Sequence, residues 1–167
     1  MRFSVWAPRA TVVELVVDGD RLRMEPEGDA GWHAVDADVD PPVQYAFSLD
    51  GGEPLPDPRS PWQPRGVHGP SRSVDHGTFA WSDRGWRGIH LPSAVLYELH
   101  VGTFSAEGTF DGVARRLDHL LRLGIDAIEL MPVNQFPGRH GWGYDGVQLQ
   151  AVHEPYGGPE GLKALVD

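Results

Sequence analysis

From Phe3 to Leu49 short runs of alternating apolar and polar residues are separated by turn formers. The runs are Phe3 to Trp6, Val12 to Val17, Arg21 to Glu25, Trp32 to Val35 and Gln44 to Leu49. Alternation with a period of two places every second side chain on one face, so each run predicts a half-buried β-strand. The breaks are Pro8, Asp18-Gly19-Asp20, Gly28 to Gly31, Pro41-Pro42 and Asp50-Gly51-Gly52, residues that favour hairpins and short loops. Five or six strands in this space predict a small β-sandwich, slightly short of the roughly seven strands of an immunoglobulin-like one.

Between Pro54 and Pro92 proline and glycine accumulate, yet Trp62, Phe79, Trp81 and Trp86 remain. Large aromatic rings must bury area to offset the cost of ordering such a segment, so it is expected to be an ordered connector packed across a domain boundary. A surface platform for sugar is the alternative reading of the same rings.

After Pro92 the pattern changes to strand, helix, strand, loop, helix, which predicts parallel βα units. Val95 to Val101 forms the first predicted strand. Thr109 is the candidate N-cap of a helix whose apolar stripe is Val113, Leu117, Leu120 and Leu121 and which ends at Gly124. Ile125 to Val133, apolar except for Asp126 and Glu129, predicts a strand covered on both faces. Pro159 opens a last helix carrying Leu162, Leu165 and Val166. An eight-stranded βα barrel takes roughly 250 residues, so residues 91–167 are expected to supply only about two of its eight units. The barrel portion is therefore expected to be incomplete, with apolar faces and a strand edge left free to associate.

Composition adds exclusions. With 40% hydrophobic and 23% charged residues among 167, the chain reads as an ordinary soluble globular protein. No run approaches the roughly 20 apolar residues of a membrane span, and the start, MRFSVWAP, lacks a signal peptide's apolar core, so a cytoplasmic location is expected. Cysteine is absent, which removes disulfides and thiolate metal sites. The net charge of -10 is spread evenly, nine basic against fourteen acidic side chains in residues 1–93 and five against ten thereafter. Such acidity disfavours nucleic acid and anionic lipid as partners and is compatible with a neutral ligand such as a sugar.

The densest chemistry lies in FPGRHGWGYDGV, Phe136 to Val147, which follows the second predicted strand and presents Arg139, His140, Trp142, Tyr144 and Asp145. Loops after the strands of a βα barrel form its catalytic face. Flat Trp and Tyr rings suit the CH-rich face of a pyranose, while Asp, His and Arg hydrogen-bond its hydroxyls. The bland alternative makes Trp142 and Tyr144 core plugs and the glycines turn formers. Glu129, in mid-strand, is expected inside the barrel rather than at its mouth. His100, at the end of the first strand, is equally compatible with a structural role. The eight histidines show no spacing of the HExxH kind, so no metal is expected, and no cofactor motif is present.

In order and spacing, YELHVGTF (from Tyr97), GTFDG, LGIDAIELMPV, FPGRHGWGYDGV and EPYGGPEGLKALVD resemble the malto-oligosyltrehalose trehalohydrolase family within the α-amylase superfamily. The opening FSVWAPRATVVELVVDG resembles that family's amino-terminal sandwich, so the likeness covers nearly the whole chain. ELMPV and its strand-helix-strand frame are common to the superfamily, branching and debranching enzymes included, whereas FPGRHGWGYDGV and GTFSAEGTF resemble the trehalohydrolases. The resemblance implies an immunoglobulin-like β-sandwich with its connector over residues 1–90, and the first two βα units of a truncated (β/α)8 TIM barrel over residues 91–167. It implies a glycoside hydrolase that cuts the α-1,4 bond next to the terminal trehalose of a maltooligosyl trehalose. The partner is then that sugar or a related α-glucan. Catalysis in such enzymes uses two carboxyls about 5 Å apart. The resemblance places those acids after later strands, so no catalytic residue is expected here and the chain alone is expected to be inactive. By the same likeness Tyr144 lies beneath the sugar at the cleavage point and Asp145 helps hold the charged network there. His140 and Trp142 either line neighbouring subsites or brace the loop. The alternatives are a branching or debranching enzyme and a non-catalytic carbohydrate-binding module. Oligomeric state stays open.

Overall fold

The computed structural model describes residues 1–167, which form eleven strands, four α-helices and three short 3-10 turns. Seven strands precede Pro92: β1 (Arg2–Trp6), β2 (Val13–Val17), β3 (Asp20–Arg23), β4 (Glu25–Glu27), β5 (Trp32–Asp36), β6 (Gln44–Leu49) and β7 (Ser71–Arg72). They make two antiparallel sheets, ordered β1-β5-β4 and β3-β2-β6-β7. The alternation read in the sequence points Phe3 and Val5 of β1, Val13, Leu15 and Val17 of β2, and Tyr45 and Phe47 of β6 into one core, joined by Met24, Ala37 and Val43. Each large side chain buried there is worth about 1.5–3 kcal/mol. Between β2 and β3, Asp18 and Gly19 take φ of 50° and 89°, the doubly left-handed backbone that a two-residue hairpin turn needs.

The run Arg21 to Glu25 is not one strand. Its first half pairs with β2 and its second half with β5, and between them buried Met24 donates its N–H to the Val13 carbonyl at 2.9 Å. The chain changes sheets there, with Met24 inside the core both sheets share.

The connector is ordered by hydrogen bonds more than by apolar burial. Leu55 exchanges both backbone hydrogen bonds with Phe47 at 2.8 Å, β7 adds to the edge of β6, and the Tyr45 hydroxyl donates to Asp57 Oδ2 at 2.8 Å. Trp62 behaves as the expected anchor. It bridges to Val152, carries the Arg72 guanidinium 4.5 Å above its ring, and donates its indole N–H to Glu154 Oε2 at 2.5 Å. Trp81 and Trp86 do not follow: Trp81 packs edge-on against Phe79 but stays partly open, and Trp86 is 70% exposed.

Beyond Pro92, β8 (Leu96–Leu99) and β9 (Ala127–Leu130) pair in parallel with Leu96 opposite Ala127 and Leu99 opposite Leu130. Both are shorter than the predicted runs. Between them lie α1 (Val101–Phe104), α2 (Phe110–Ala114) and α3 (Leu117–Arg122). Thr109 caps α2 as expected, its hydroxyl accepting from the Gly112 N–H at 3.1 Å. The single predicted helix is broken, because Arg116 leaves the helical range at φ -109° and ψ 1°. Beyond the break Leu121, expected in the apolar stripe, is 67% exposed, while Val113 and Leu120 are buried. An antiparallel hairpin, β10 (Asn134–Gln135) and β11 (Gln148–Val152), then brackets the glycine-rich loop, and α4 (Gly158–Val166) closes the chain with Pro159 in its first turn. Neither β10 nor β11 is predicted by the sequence pattern.

A second core joins Leu99, Val101, Phe110, Val113, Leu120, Phe136 and Tyr156, with Ile128, Leu130, Leu162 and Leu165 against it. Val166, expected beside those leucines, is exposed. The opposite face of the parallel pair presents Leu96, Glu98 and Glu129 to solvent, with the two glutamates directly in register. No helix is long and apolar enough to cross a membrane.

Candidate functional site

The glycine-rich segment from Phe136 to Val147 is the loop of the β10–β11 hairpin, and its backbone is pressed onto the strand end beneath it. At Gly143, φ is 86° and a Cβ would stand 2.1 Å from the Pro132 carbonyl oxygen. At Gly146 a Cβ would fall 1.4 Å from Asn134 Nδ2. Glycine is required at 143 by its left-handed backbone and its contact with a backbone carbonyl, whereas at 146 the neighbour is the tip of the Asn134 side chain, which can turn aside. Backbone held this close to a scaffold projects the intervening side chains outward.

Trp142 is 72% and Tyr144 69% exposed, and His140, Arg139 and Asp145 are exposed as well. Within these 167 residues neither ring is a core plug. Phe136 and Tyr156 fill the core under the loop instead. His140 and Trp142 share a cavity of about 280 Å³ with His100, Gly102, Thr103, Met131, Arg139 and Gly141, placed where β8 and β9 end. Tyr144 and Asp145 lie outside that cavity, and Asp145 makes no hydrogen bond or ion pair within the chain, so no loop-capping bond accounts for it. Glu129 is exposed in the middle of β9, in register with Glu98, and does not line that cavity. The larger groove of about 720 Å³ lies on the front sheets, along Val16 to Gly19 and Asp40 to Ala46, and holds none of the sequence-predicted site residues.

Under the loop is a cluster that sequence reasoning missed. His153, fully buried, stacks on Phe136 with ring centroids 3.7 Å apart and an interplanar angle of 14°, and meets Tyr156 edge-on at 4.7 Å. Neither of its ring nitrogens has a hydrogen-bond partner, and burial pushes its pKa down to about 4. Burial also raises the Tyr156 hydroxyl pKa above its ordinary value. The Tyr156 Oη lies 3.0 Å from His100 Nε2. The available signal was HEPYGG itself, where a histidine and a tyrosine three apart flank a proline at the end of a strand. Nothing in its periodicity marks it as buried. No group of three or more His, Cys, Asp or Glu side chains is gathered closely enough to hold a metal ion.

Comparison with known proteins gives a consistent result. Residues 71–167 match the catalytic domain of the alpha-amylase family. The chain is 55% identical, over 99% of its length, to a malto-oligosyltrehalose trehalohydrolase of Arthrobacter ramosus, and 42% identical to one of Saccharolobus solfataricus. A 1,4-alpha-glucan branching enzyme of Vibrio parahaemolyticus is 32% identical. The chain spans about 30% of the length of the two trehalohydrolases and 25% of the branching enzyme. Among solved structures, one from Salmonella typhimurium assigned to the alpha amylases superposes with a TM-score of 0.94 at 44% identity, covering 99% of this chain and 28% of that one. A pullulanase from Bacillus acidopullulyticus superposes with a TM-score of 0.77 at 22% identity, over 98% of this chain and 26% of its own, a likeness of fold.

Proposed function

Because this chain belongs to the alpha-amylase family, we propose that it is the amino-terminal part of a malto-oligosyltrehalose trehalohydrolase, an enzyme that hydrolyses the α-1,4 bond beside the terminal trehalose of a maltooligosyl trehalose. In this reading residues 1–90 are an immunoglobulin-like module with its connector, and residues 91–167 open a (β/α)8 barrel. The observation that carries it is the outward display of Trp142 and Tyr144 on a backbone pinned at Gly143 and Gly146, beside a cavity at the strand ends. Exposed rings on a rigid loop offer stacking faces at little ordering cost, which is what a neutral, CH-faced pyranose needs. Tyr144 carries the sugar at the cleavage point, Asp145 remains free to join a charged network there, and His140 and Trp142 border the adjoining subsite.

The chemistry itself needs two carboxyls about 5 Å apart. Asp145 is the sole carboxylate of the loop, and Glu98 and Glu129 stand on another face, so the 167-residue chain binds but does not cut. The test is to incubate the full gene product, and separately this chain, with maltooligosyl trehalose and measure free trehalose. Release by the first and none by the second is expected. Branch transfer or α-1,6 cleavage by the full product, with maltooligosyl trehalose left intact, would overturn the assignment in favour of a branching or debranching enzyme.

A further inference from the structure

The loop's middle carbonyl is held by one side chain from a different strand. His100, directly after β8, has Nε2 2.7 Å from the Gly141 oxygen and Nδ1 3.0 Å from Thr103 Oγ1. A carbonyl oxygen can only accept, so Nε2 must carry the proton, and the bare Nδ1 then accepts from the Thr103 hydroxyl. The Tyr156 oxygen, 3.0 Å from the same Nε2, is a second acceptor for the shared proton. Gly102 lies close beside both rings: a Cβ there would stand 3.0 Å from His100 Cε1 and 3.1 Å from the Tyr156 ring, so this approach suits glycine. The imidazole is thus fixed in position and in tautomer, and its one proton is spent on the peptide that precedes Trp142.

We propose that His100 is a positioning residue that fixes the sugar-facing loop by donating from Nε2 to the Gly141 carbonyl, with Thr103 setting the tautomer. Its consequence for ligand rests on the trehalohydrolase reading, since it is Trp142 and Tyr144 that the bond holds in place. Gly141 lies midway along a loop otherwise tied down at Gly143 and Gly146, and the segment Pro137 to His140 is exposed and leads into it. Gly141 also packs on the buried Phe136 ring, where a Cβ would stand 2.9 Å from Cε2, and the His100 bond adds a directional polar tie to that contact.

Three measurements on the 167-residue chain test this. Long-range proton–nitrogen correlation spectra of the wild type should show His100 protonated at Nε2 alone; the opposite tautomer overturns the proposal without any variant. Amide exchange read by mass spectrometry should then separate two substitutions. His100→Gln keeps a donor near the Nε2 position and should leave peptide 138–147 within about threefold of wild type, whereas His100→Asn places its donor where Nδ1 sits and should speed that peptide about fivefold or more, the loss of roughly one hydrogen bond. Peptides from β1 to β6 should not change in either. Equal acceleration by both substitutions, or none by either, refutes a positional role. In the third measurement, titration with maltooligosyl trehalose should weaken for His100→Asn and not for His100→Gln. If the exchange pattern appears but neither the wild type nor any variant binds the sugar, the positioning role stands and the sugar-binding role given to this loop in the isolated chain falls.

Discussion

His153 should make the fold acid-sensitive in a calculable way. Its ring is fully buried, neither nitrogen is paired, and burial lowers its pKa from 6.5 to about 4. The unfolded chain takes up a proton at that histidine near pH 6.5, while the folded chain resists until about pH 4. Between those values the unfolded state binds more protons, so stability is fully present above pH 6.5 and falls as the pH is lowered. The loss from this residue amounts to about 2 kcal/mol by pH 5 and about 3 kcal/mol by pH 4, an upper range because a local opening can hydrate the ring. Other groups also titrate in this window, so the measurement must be a difference. His153→Leu has similar volume, keeps an apolar contact with Phe136 and has nothing to protonate. Urea unfolding of wild type and variant by tryptophan fluorescence, from pH 7.5 down to 4.5, should give curves of stability against pH that diverge below pH 6.5, with the wild type falling more steeply. The variant should be no less stable at pH 7.5, because it removes two buried unpaired nitrogens that cost about 1–3 kcal/mol each when nothing meets them. Parallel curves across the whole range would refute the reasoning and mean that the ring is hydrated in solution.

Gly143→Ala places a Cβ against the rigid Pro132 carbonyl at a left-handed φ and should cost about 2 kcal/mol or more, read by the same unfolding experiment. Trp142→Ala and Tyr144→Ala should each change stability by less than about 0.5 kcal/mol, since both rings are exposed, while weakening binding of maltooligosyl trehalose by calorimetry; a large fall in stability would restore the core-plug reading. Trp62→Phe deletes the indole donor to Glu154 and should cost about 1.5–3 kcal/mol in thermal or urea unfolding, the value of a hydrogen bond to a charged group.

The front sheets were legible because their order is local. Val13, Leu15 and Val17 alternate without interruption, and Asp18-Gly19 is the residue pair that a tight hairpin demands. Met24 shows where that legibility stops. An apolar residue between two polar neighbours continues a strand pattern equally well whether the chain stays in its sheet or crosses to the other, and pairing with β5 decides the matter. The helix from Thr109 was legible only in part: its cap and stripe are sequence features, whereas no glycine or proline marks the break at Arg116, on either side of which Val113 and Leu120 enter one core. β10 has two residues and β11 reads QLQAV, too short and too polar for any period to emerge. The exposed loop residues were found because glycine spacing and aromatic content are visible in a line of letters. The cluster beneath them was not, since His100 and Tyr156 are 56 positions apart and the sequence holds no sign of their contact.

Much of that distant assembly runs from the front sheets to the loop. β7 extends the four-stranded sheet, and the Arg72 N–H within it donates to the Trp62 carbonyl at 2.9 Å. The Trp62 indole holds Glu154, whose own N–H donates to the Gln135 side chain at 3.0 Å, and the Gln135 carbonyl accepts from Val147 at 2.9 Å where the loop rejoins its hairpin. A parallel tie links buried Gln148 to the Val67 carbonyl at 3.0 Å. A neutral bond of this kind is worth only about 1 kcal/mol net and the one to Glu154 more, and, Val147 aside, the partners are buried or half-buried, so losing one leaves another poorly reached by water. The connector therefore clamps the foot of the loop while His100 holds its middle. On this geometry the front sheets stiffen the glycine-rich loop from behind, which accounts for Trp62 being half-buried against the hairpin while Trp86, further along the same connector, is exposed.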